Sequence, residues 1–555
     1  MSTKSLKVTP LGGVGEIGAL NCMVYETERE AILVDCGSQF PDDETLGVDL
    51  VIPDFSYLRQ ISKKLKGVIF THGHEDHIGA TPFLLREINL PLYGAPFTLG
   101  LIRQKLEEYD LAKKPKYHVF NPGETLQVGS FKIETVFVNH SIIDAAALAI
   151  KTDVGTIVHL TDWKIDKTSV DGKTTDLKKF AALGKEGVLA LFSDSTNVTR
   201  PGSTLSEKEI SRQLKKICSQ HPGRILVTLF ASNINRVQSL AHIAKSLGRT
   251  LAFVGRSMRE NTALARELES LSLDGVNVVD VEETKNLAND KVMVLLTGSQ
   301  GEERSALTRI AFDAFKPFRI QEGDMVLFSS KVIPGNEKNI FNVIDHLYRK
   351  GAKVLYESVH EIHTSGHAHQ EEIKEATRRL KPKFFTPIHG QYRHFIKHAE
   401  LAKECGVKAE NIMIIENGTS LIFEEGKVRR GEQNIPTGRV FVDGRGVGDV
   451  ADVVLRDRRQ LADTGFVICI LMIDRVSGEI VRGPEIISRG FIEEKESEEL
   501  LPRARAKVAE AISAFNLGAR TDVIEVQEEV RLTLRRFFKK ELERKPVVIP
   551  VVLEV

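Results

Sequence analysis

The chain has 555 residues, 42% hydrophobic and 27% charged, with 76 basic residues balanced by 76 acidic ones. That length suggests about three or four domains of ordinary globular composition, and zero net charge excludes a whole-molecule polyanion binder, so any nucleic-acid surface must be a local patch. Five scattered cysteines with no CxxC pair exclude a disulfide framework and cysteine-ligated zinc, and no apolar run reaches the ~18 residues of a membrane span. Met1–Pro10 lacks the apolar core of a signal peptide, so a cytoplasmic protein without a membrane partner is expected.

Leu6–Leu11 reads as a strand and runs into Gly12-Gly13-Val14-Gly15-Glu16-Ile17-Gly18. This matches G-x-G-x-x-G, with Asp35 near the acidic position of a dinucleotide site. That fingerprint requires a helix to open at the last glycines. Here Leu20–Tyr25 alternates as a strand and Glu30–Asp35 is another, so the glycines are expected to form a tight turn. Cys36–Asp54 is a polar loop, Leu58–Lys66 a short helix, and Val68–Phe70 a buried strand.

Thr71-His72-Gly73-His74-Glu75-Asp76-His77-Ile78-Gly79 follows, packing three imidazoles and two carboxylates between that strand and a helix-like run, Ile78–Ile88. Imidazole suits zinc- and manganese-type ions, carboxylate can bridge two of them, and glycine lets the backbone bend tightly. Downstream, Pro91–Tyr93 is a strand and Thr98–Leu111 a helix. Strands Phe131–Val138, Thr156–Leu160 and Leu189–Phe192 deliver His140, Asp162 and Asp194 at their ends. Strand ends are where α/β sheets present ligands.

From Ser206 helices (Ser206–Gln220, Val237–Leu247, Arg259–Leu271) alternate with apolar strands (Arg224–Phe230, Thr250–Val254, Val292–Leu296, Met325–Ser329, Lys353–Tyr356). This is the punctuation of a parallel α/β domain. Its strand ends carry Ser232, Arg256, Ser257 and Ser330, a rim suited to phosphate. Histidine then returns at His360, His363, His367 and His369, and the strand Lys383–Pro387 ends in His389, as though the chain re-entered the first domain. Glu425–Gly438 reads as linker. Strands Phe466–Asp474 and Val548–Leu553 with helices Ser497–Phe515 and Asp522–Glu543 make a small α+β domain. Its basic runs, Arg456–Arg459 and Arg535–Lys540, read as solvated faces.

Seven residues thus stand at ends of apolar strands: His72, His74, Asp76, His77, His140, Asp162 and His389. Two ions about 3.5–4 Å apart would share such a set through one bridging carboxylate, and Asp162 is the natural bridge. The substrate would be an electrophile with oxygens to polarise: a phosphodiester, an ester or an amide.

His72-x-His74-x-Asp76-His77 resembles the signature of the metallo-β-lactamase fold, and the inserted domain with Asp194, His367 and His389 resembles the β-CASP nuclease branch. The whole chain is similar to the bacterial ribonuclease J family, through stretches that include Ser193–Asn197, Phe230–Asn233, Gly255–Met258, Thr297–Gly301 and Ile487–Phe491. The resemblance implies an αββα sandwich in two parts (1–207 and 358–430) around a β-CASP domain (208–357), then a linker (431–450) and a C-terminal α+β domain (451–555). It implies a zinc-dependent ribonuclease, with manganese as the alternative ion, that cuts internally and also 5′ to 3′ from 5′-monophosphate ends, in mRNA decay and rRNA maturation. His72, His74 and His140 would hold one ion and Asp76, His77 and His389 the other, with Asp162 bridging. Asp76, Asp194 and His367 would be catalytic, His367 protonating the leaving oxygen. His363, Thr364, Ser365, Gly366 and His367 would contact RNA, with Ser232, Arg256, Ser257 and Ser330 on the phosphate rim. Asp49 and Asp443 match a structural calcium site. A homodimer or homotetramer is implied, with other RNA-decay proteins or a paralogue as further partners.

Departures from the family pattern are Thr161 for glycine, Gln391 for glutamate, Asn235 for histidine, and Lys331 and Val332 for serine and proline. They keep open a second reading, a weakly active architectural paralogue. A small-molecule hydrolase is a third reading, disfavoured by the inserted domain, and the residues alone leave RNA against DNA open.

Overall fold

In the computed structural model, residues 4–41, 45–333, 335–356, 361–431, 435–444, 446–448 and 452–555 are described. They divide into two compact units, 1–40 with 51–440 and 41–50 with 441–555.

The first unit holds two face-to-face sheets and a third, separate one. In the first sheet the strands run in the order 427–430, 421–424, 5–12, 22–26, 31–34, 65–69, 92–94, 117–119. In the second the order is 384–388, 188–194, 155–160, 146–152, 131–137, 125–128. Their facing side chains, among them Tyr25, Ile32, Ile69, Leu148, Ile157, Phe192 and Phe384, form one core. Full burial of each such aliphatic side chain is worth roughly 1.5–3 kcal/mol. The second sheet's outer face is covered by helices Leu177–Glu186, Gln370–Leu380 and Tyr392–Glu404 through Trp163, Phe180, Leu191, Phe385 and Leu401.

The third sheet is parallel throughout, in the order 250–254, 292–296, 225–228, 325–328, 353–355. Apolar clusters lie on both its faces, which is why Val292–Leu296 is buried at every position rather than alternating. Ser206 opens the first helix of this region with a capping box to Glu209, and Asn233 caps the next through the Arg236 amide.

Several expected elements shift. The helix expected over Leu58–Lys66 is Ser56–Gln60, because Leu65–Ile69 joins the sheet beside Ala31–Val34. The run Ile78–Ile88 is two helices, Glu75–Ile78 and Thr81–Glu87, parted at Gly79, where an added Cβ would stand 1.9 Å from Ser38 Oγ. The stretch composition marks as linker includes an edge strand, Lys427–Arg430, paired with Leu421–Glu424. Arg439–Asp443 is also a strand. His360 lies outside the described residues.

In the second unit, Phe466–Ile473 is the centre of a three-stranded sheet, antiparallel to Ile480–Arg489 and parallel to Val547–Glu554. The strand 480–489, unmarked in the sequence reading, carries charges and a Gly-Pro pair that interrupt its alternation. Helices Glu494–Ser513 and Val523–Leu542 pack on one face through Ala504, Val508, Val530, Leu534 and Phe538.

Candidate metal centre

The register of the second sheet gathers the site. Val188–Asp194 runs parallel to Phe384–Ile388 with Asp194 opposite Ile388, and Leu160 lies opposite Ser193. The residues that follow, Asp162 and His389, therefore emerge beside Asp194 at one edge. Both turn sharply, with φ of +45° at Asp162 and +50° at His389. These are strained positions for residues with a Cβ, of a kind that collects at functional sites. The glycine-rich turn backs this edge: His389 N donates to Gly13 O and Gly15 N to Gly390 O, both at 3.0 Å, and no helix opens there.

Two ligand groups result. His72, His74, His140 and Asp162 form one, and Asp76, His77, Asp162 and His389 the other. In the first, His74 Nδ1 lies 3.1 Å from both His72 Nε2 and His140 Nε2, and Asp162 Oδ2 is 3.7 and 3.5 Å from the latter two. In the second, Asp162 Oδ1 lies 3.3 Å from His77 Nε2 and 3.4 Å from His389 Nε2, and Asp76 Oδ2 stands at the same two distances from them. One carboxylate thus turns one oxygen to each pocket. Four donors at tetrahedral zinc distances of ~2.0–2.1 Å would stand about 3.3 Å from each other, which is the spacing seen.

The far nitrogens are taken by oxygens that orient the rings. His77 Nδ1 meets Asp35 Oδ2 at 2.8 Å, His140 Nδ1 meets Gly366 O at 2.7 Å, and His389 Nδ1 meets Thr196 Oγ1 at 2.8 Å. Thr71 lies 3.1 Å from His72 Nδ1 and donates to Asp35 through both its amide and its hydroxyl, each at 2.8 Å. Burial pushes His72 and His140 well below the usual imidazole range and His74 down to about 4, so the first pocket presents neutral, metal-ready nitrogens. In the second, burial works against the charged forms, but Asp76 and Asp162 outweigh it at His77, and Asp162 with Asp194 at His389; both imidazoles rise. Burial likewise opposes ionisation of Asp162, yet His389 and His77 hold its carboxyl well below the usual range. This concentration of buried carboxylate demands positive charge. The donor chemistry, the spacing and the oriented rings all fit a pair of divalent cations.

A third group, Asp194, His367 and His389, adjoins these. Here the contacts are those of a carboxylate steering two rings: Asp194 Oδ2 accepts from His367 Nδ1 at 2.9 Å, and its Oδ1 is 3.3 Å from His389 Nδ1. His367 Nε2 then lies 3.9 Å from Asp162 Oδ2, at the mouth of the first pocket. Burial lowers the His367 imidazole, but Asp194 and Asp162 prevail and raise it.

The segment 362–369 alternates, with Ile362, Thr364, Gly366 and Ala368 buried and His363, Ser365, His367 and His369 half-buried. Ser365 accepts from Asn197 Nδ2 at 2.7 Å. Thr364 is turned inward, its hydroxyl donating to Leu205 O at 2.7 Å, and at Gly366 a Cβ would stand 2.8 Å from the His140 ring. Ser232 and Ser330 follow strands of the parallel sheet, and Arg256 and Ser257 open the helix Arg256–Glu267. Arg256 is engaged by Glu108 and Glu260, each at 2.8 Å. In the second unit, Asp49 Oδ2 accepts from Gly444 N at 2.8 Å and Asp443 pairs with Arg458 at 2.5 Å. Neither carboxylate belongs to a ligand cluster among the described residues.

Asp35, Asn21, Thr71 and Thr196 were not singled out as site residues by sequence. Asp35 obeys the same signal as the others, an acid directly after an apolar strand, but the dinucleotide pattern claims it first. Asn21 Nδ2 donates to Asp76 O at 3.0 Å and to Asp76 Oδ2 at 3.2 Å, which only the fold reveals.

Family models match four successive stretches: "Metallo-beta-lactamase superfamily" over 16–159, "Ribonuclease J, beta-CASP domain" over 222–347, "Zn-dependent metallo-hydrolase RNA specificity domain" over 351–413, and "Ribonuclease J C-terminal domain" over 453–555. The chain is 40% identical over 559 residues to Ribonuclease J of Thermus thermophilus, spanning 99% of this chain and 95% of that one. It is 37% identical over 554 residues to Ribonuclease J2 of Bacillus subtilis, spanning 100% and 99%. A crystal structure of a protein of unknown function from Enterococcus faecalis shares the fold, with a TM-score of 0.51 and 16% identity over 77% of this chain and 100% of that one. With full-length relatives at this identity and the family's modules in order along it, the chain belongs to the ribonuclease J family of metallo-β-lactamase-fold, β-CASP hydrolases.

Proposed function

We propose that this protein is a metal-dependent ribonuclease that hydrolyses RNA phosphodiesters at the paired His/Asp pockets. One observation carries the reading: Asp162 divides its two oxygens between two ligand sets beside a His367–Asp194 pair. His72, His74 and His140 would hold one divalent ion and Asp76, His77 and His389 the other, with Asp162 shared. Zinc is the ion proposed, since imidazole and carboxylate at these spacings suit it, and manganese would suit the same donors. When bound, such a pair activates water at neutral pH and neutralises charge on the scissile phosphate.

The chain's own residues do the rest. Asp35, Thr71, Thr196 and Gly366 O hold the imidazoles in the tautomer that presents a bare nitrogen inward. Asp194 fixes His367 through Nδ1, leaving Nε2 to carry a proton to the leaving 3′ oxygen, and the neighbouring Asp194 and Asp162 favour the protonated ring. His363 and Ser365, half-buried like His367 on the same alternating segment, would meet the RNA backbone, with Ser232, Ser257 and Ser330 as phosphate donors on the inserted sheet. Arg256 would first have to leave its two glutamates.

Action from 5′-monophosphate ends together with internal cleavage, roles in mRNA decay and rRNA maturation, a cytoplasmic location and assembly as a homodimer or homotetramer extend this reading. Among the described residues no helix is long and apolar enough to cross a membrane. Calcium at Asp49 and Asp443 would have to displace Arg458. The paralogue reading is disfavoured, because no candidate ligand is missing. The test is incubation with 5′-labelled, 5′-monophosphorylated RNA with and without chelator. Chelator-sensitive release of mononucleotide and of longer labelled fragments is expected; RNA left whole in both arms would end the proposal.

A further inference from the structure

Thr161 has no part in the cleavage described above, yet it sits against the carboxylate both pockets share. Its hydroxyl donates to Asp162 Oδ1 at 2.7 Å. The residue is 2% exposed, so bulk water does not stand in for it. Oδ1 is the oxygen turned to the second pocket, 3.3 Å from His77 Nε2 and 3.4 Å from His389 Nε2. Oδ2, turned to the first, receives no hydroxyl or amide donor among the described residues.

The terminal torsion of an aspartate is broad and roughly two-fold, so nothing intrinsic stops this carboxylate from tilting. Tilting would disturb the second pocket most, where Oδ1 stands 3.3 and 3.4 Å from its two imidazoles, against 3.5 and 3.7 Å for Oδ2 in the first. A hydroxyl bond to an ionised oxygen is short and directional, and it leaves that oxygen a second lone pair for a cation. The bond also comes from the residue immediately before Asp162, at a backbone already locked at φ +45°. Hydroxyl, strained backbone and carboxylate therefore form one rigid unit.

We propose that Thr161 is a positioning residue that fixes the rotation of the Asp162 carboxylate and so sets the affinity of the second pocket for its ion. This rests on the two-ion reading above. Partners that orient a metal ligand typically carry 10–100-fold in metal affinity. The effect falls on the second pocket because the pinned oxygen belongs to it.

The experiment is a titration of the metal-stripped, full-length protein with Mn2+, the free ion counted by electron paramagnetic resonance. Wild type binds two ions. Thr161→Val keeps the branched shape without the hydroxyl and is expected to weaken the second ion by about 10–100-fold while the first isotherm stays put. Thr161→Ser keeps the hydroxyl and restores the second ion. Should the valine variant fail to fold, as judged by fluorescence of the sole tryptophan, Trp163, Thr161→Ala takes its place. Isotherms for the hydroxyl-free variant that overlay wild type overturn the inference, as does equal weakening of both ions, or a serine variant as weak as valine. Fewer than two ions on wild type removes the two-ion reading and this inference together; two ions on wild type with unchanged variants removes the inference alone.

Discussion

Arg236→Met tests how the inserted parallel sheet is tied to the segment that carries His363 and His367. Arg236 is fully buried. Its Nε donates to Glu207 Oε2 at 2.9 Å and its Nη2 to Glu207 Oε1 at 3.1 Å, while Nη1 reaches Ile362 O at 3.2 Å and the Ser329 hydroxyl. Methionine fills much of the volume but leaves the Glu207 carboxylate buried without its partner. Breaking a buried pair in this way costs about 3–5 kcal/mol. Replacing both partners, Arg236→Met with Glu207→Met, removes the stranded charge and should return most of that loss. It cannot return the Arg236 contact to Ile362 O, one residue before His363, and leaves that carbonyl to the Ser329 hydroxyl at 2.8 Å. The double variant should therefore regain stability yet cleave RNA poorly, since a misplacement of ~1 Å can cost about 10²-fold in rate. Urea unfolding followed through Trp163, which is buried beside Asp162, reads the first quantity, and single-turnover cleavage reads the second. A single variant within ~1 kcal/mol of wild type would refute the stability argument; a double variant with wild-type cleavage would refute the positioning argument.

Asp35→Asn keeps the shape but replaces an acceptor with an amide facing His77 Nδ1; metal affinity measured by chelator competition should fall by about 10–100-fold. Gly366→Ala drives a Cβ to 2.8 Å from the His140 ring, so the variant should fold, judged by circular dichroism, yet lose about 10²-fold in RNA cleavage. Burial pushes His398 down to about 3, its Nδ1 held by Ser195 Oγ at 2.9 Å. Its folded value lies below the unfolded ~6.5, so the unfolded chain gains the proton first and stability is lost as pH falls below about 6.5. Between pH 6.5 and 5 that is about 1.6 kcal/mol, and the unfolding free energy of His398→Leu, read from urea curves, should vary over the same range by that much less than wild type.

The ligand types were legible because His140, Asp162 and His389 closely follow apolar strands and His72, His74, Asp76 and His77 crowd one short motif, local signals that survive without knowledge of the fold. Elements went astray where tertiary pairing overrode local pattern. Leu65 and Lys66 look helical beside Leu58, but Leu65 lies in register with Ala31 and the sheet claims both. Lys427–Arg430 looks like linker because an edge strand needs no apolar alternation when only one neighbour pairs with it. The strand 480–489 hid for a related reason, its charges and its proline lying on an edge of the C-terminal sheet.

What the sequence could not carry is how the strands deliver the site. The motif and its family resemblance already imply two pairs, His72 with His74 and Asp76 with His77, sharing Asp162. Its bidentate role depends on register: Leu160 opposite Ser193, and Asp194 opposite Ile388. A slip of one residue in a strand turns every side chain to the other face, so a shift in either pairing would send Asp162 or His389 into the core between the sheets. The ligand set is thus bound to the packing of residues with no chemistry of their own. Leu191 and Phe192 face opposite sides of the same strand and specify its register from both. On this view a change that loosens Phe192 should cost metal before it costs fold, because the cores tolerate small shifts and a carboxylate shared by two pockets does not.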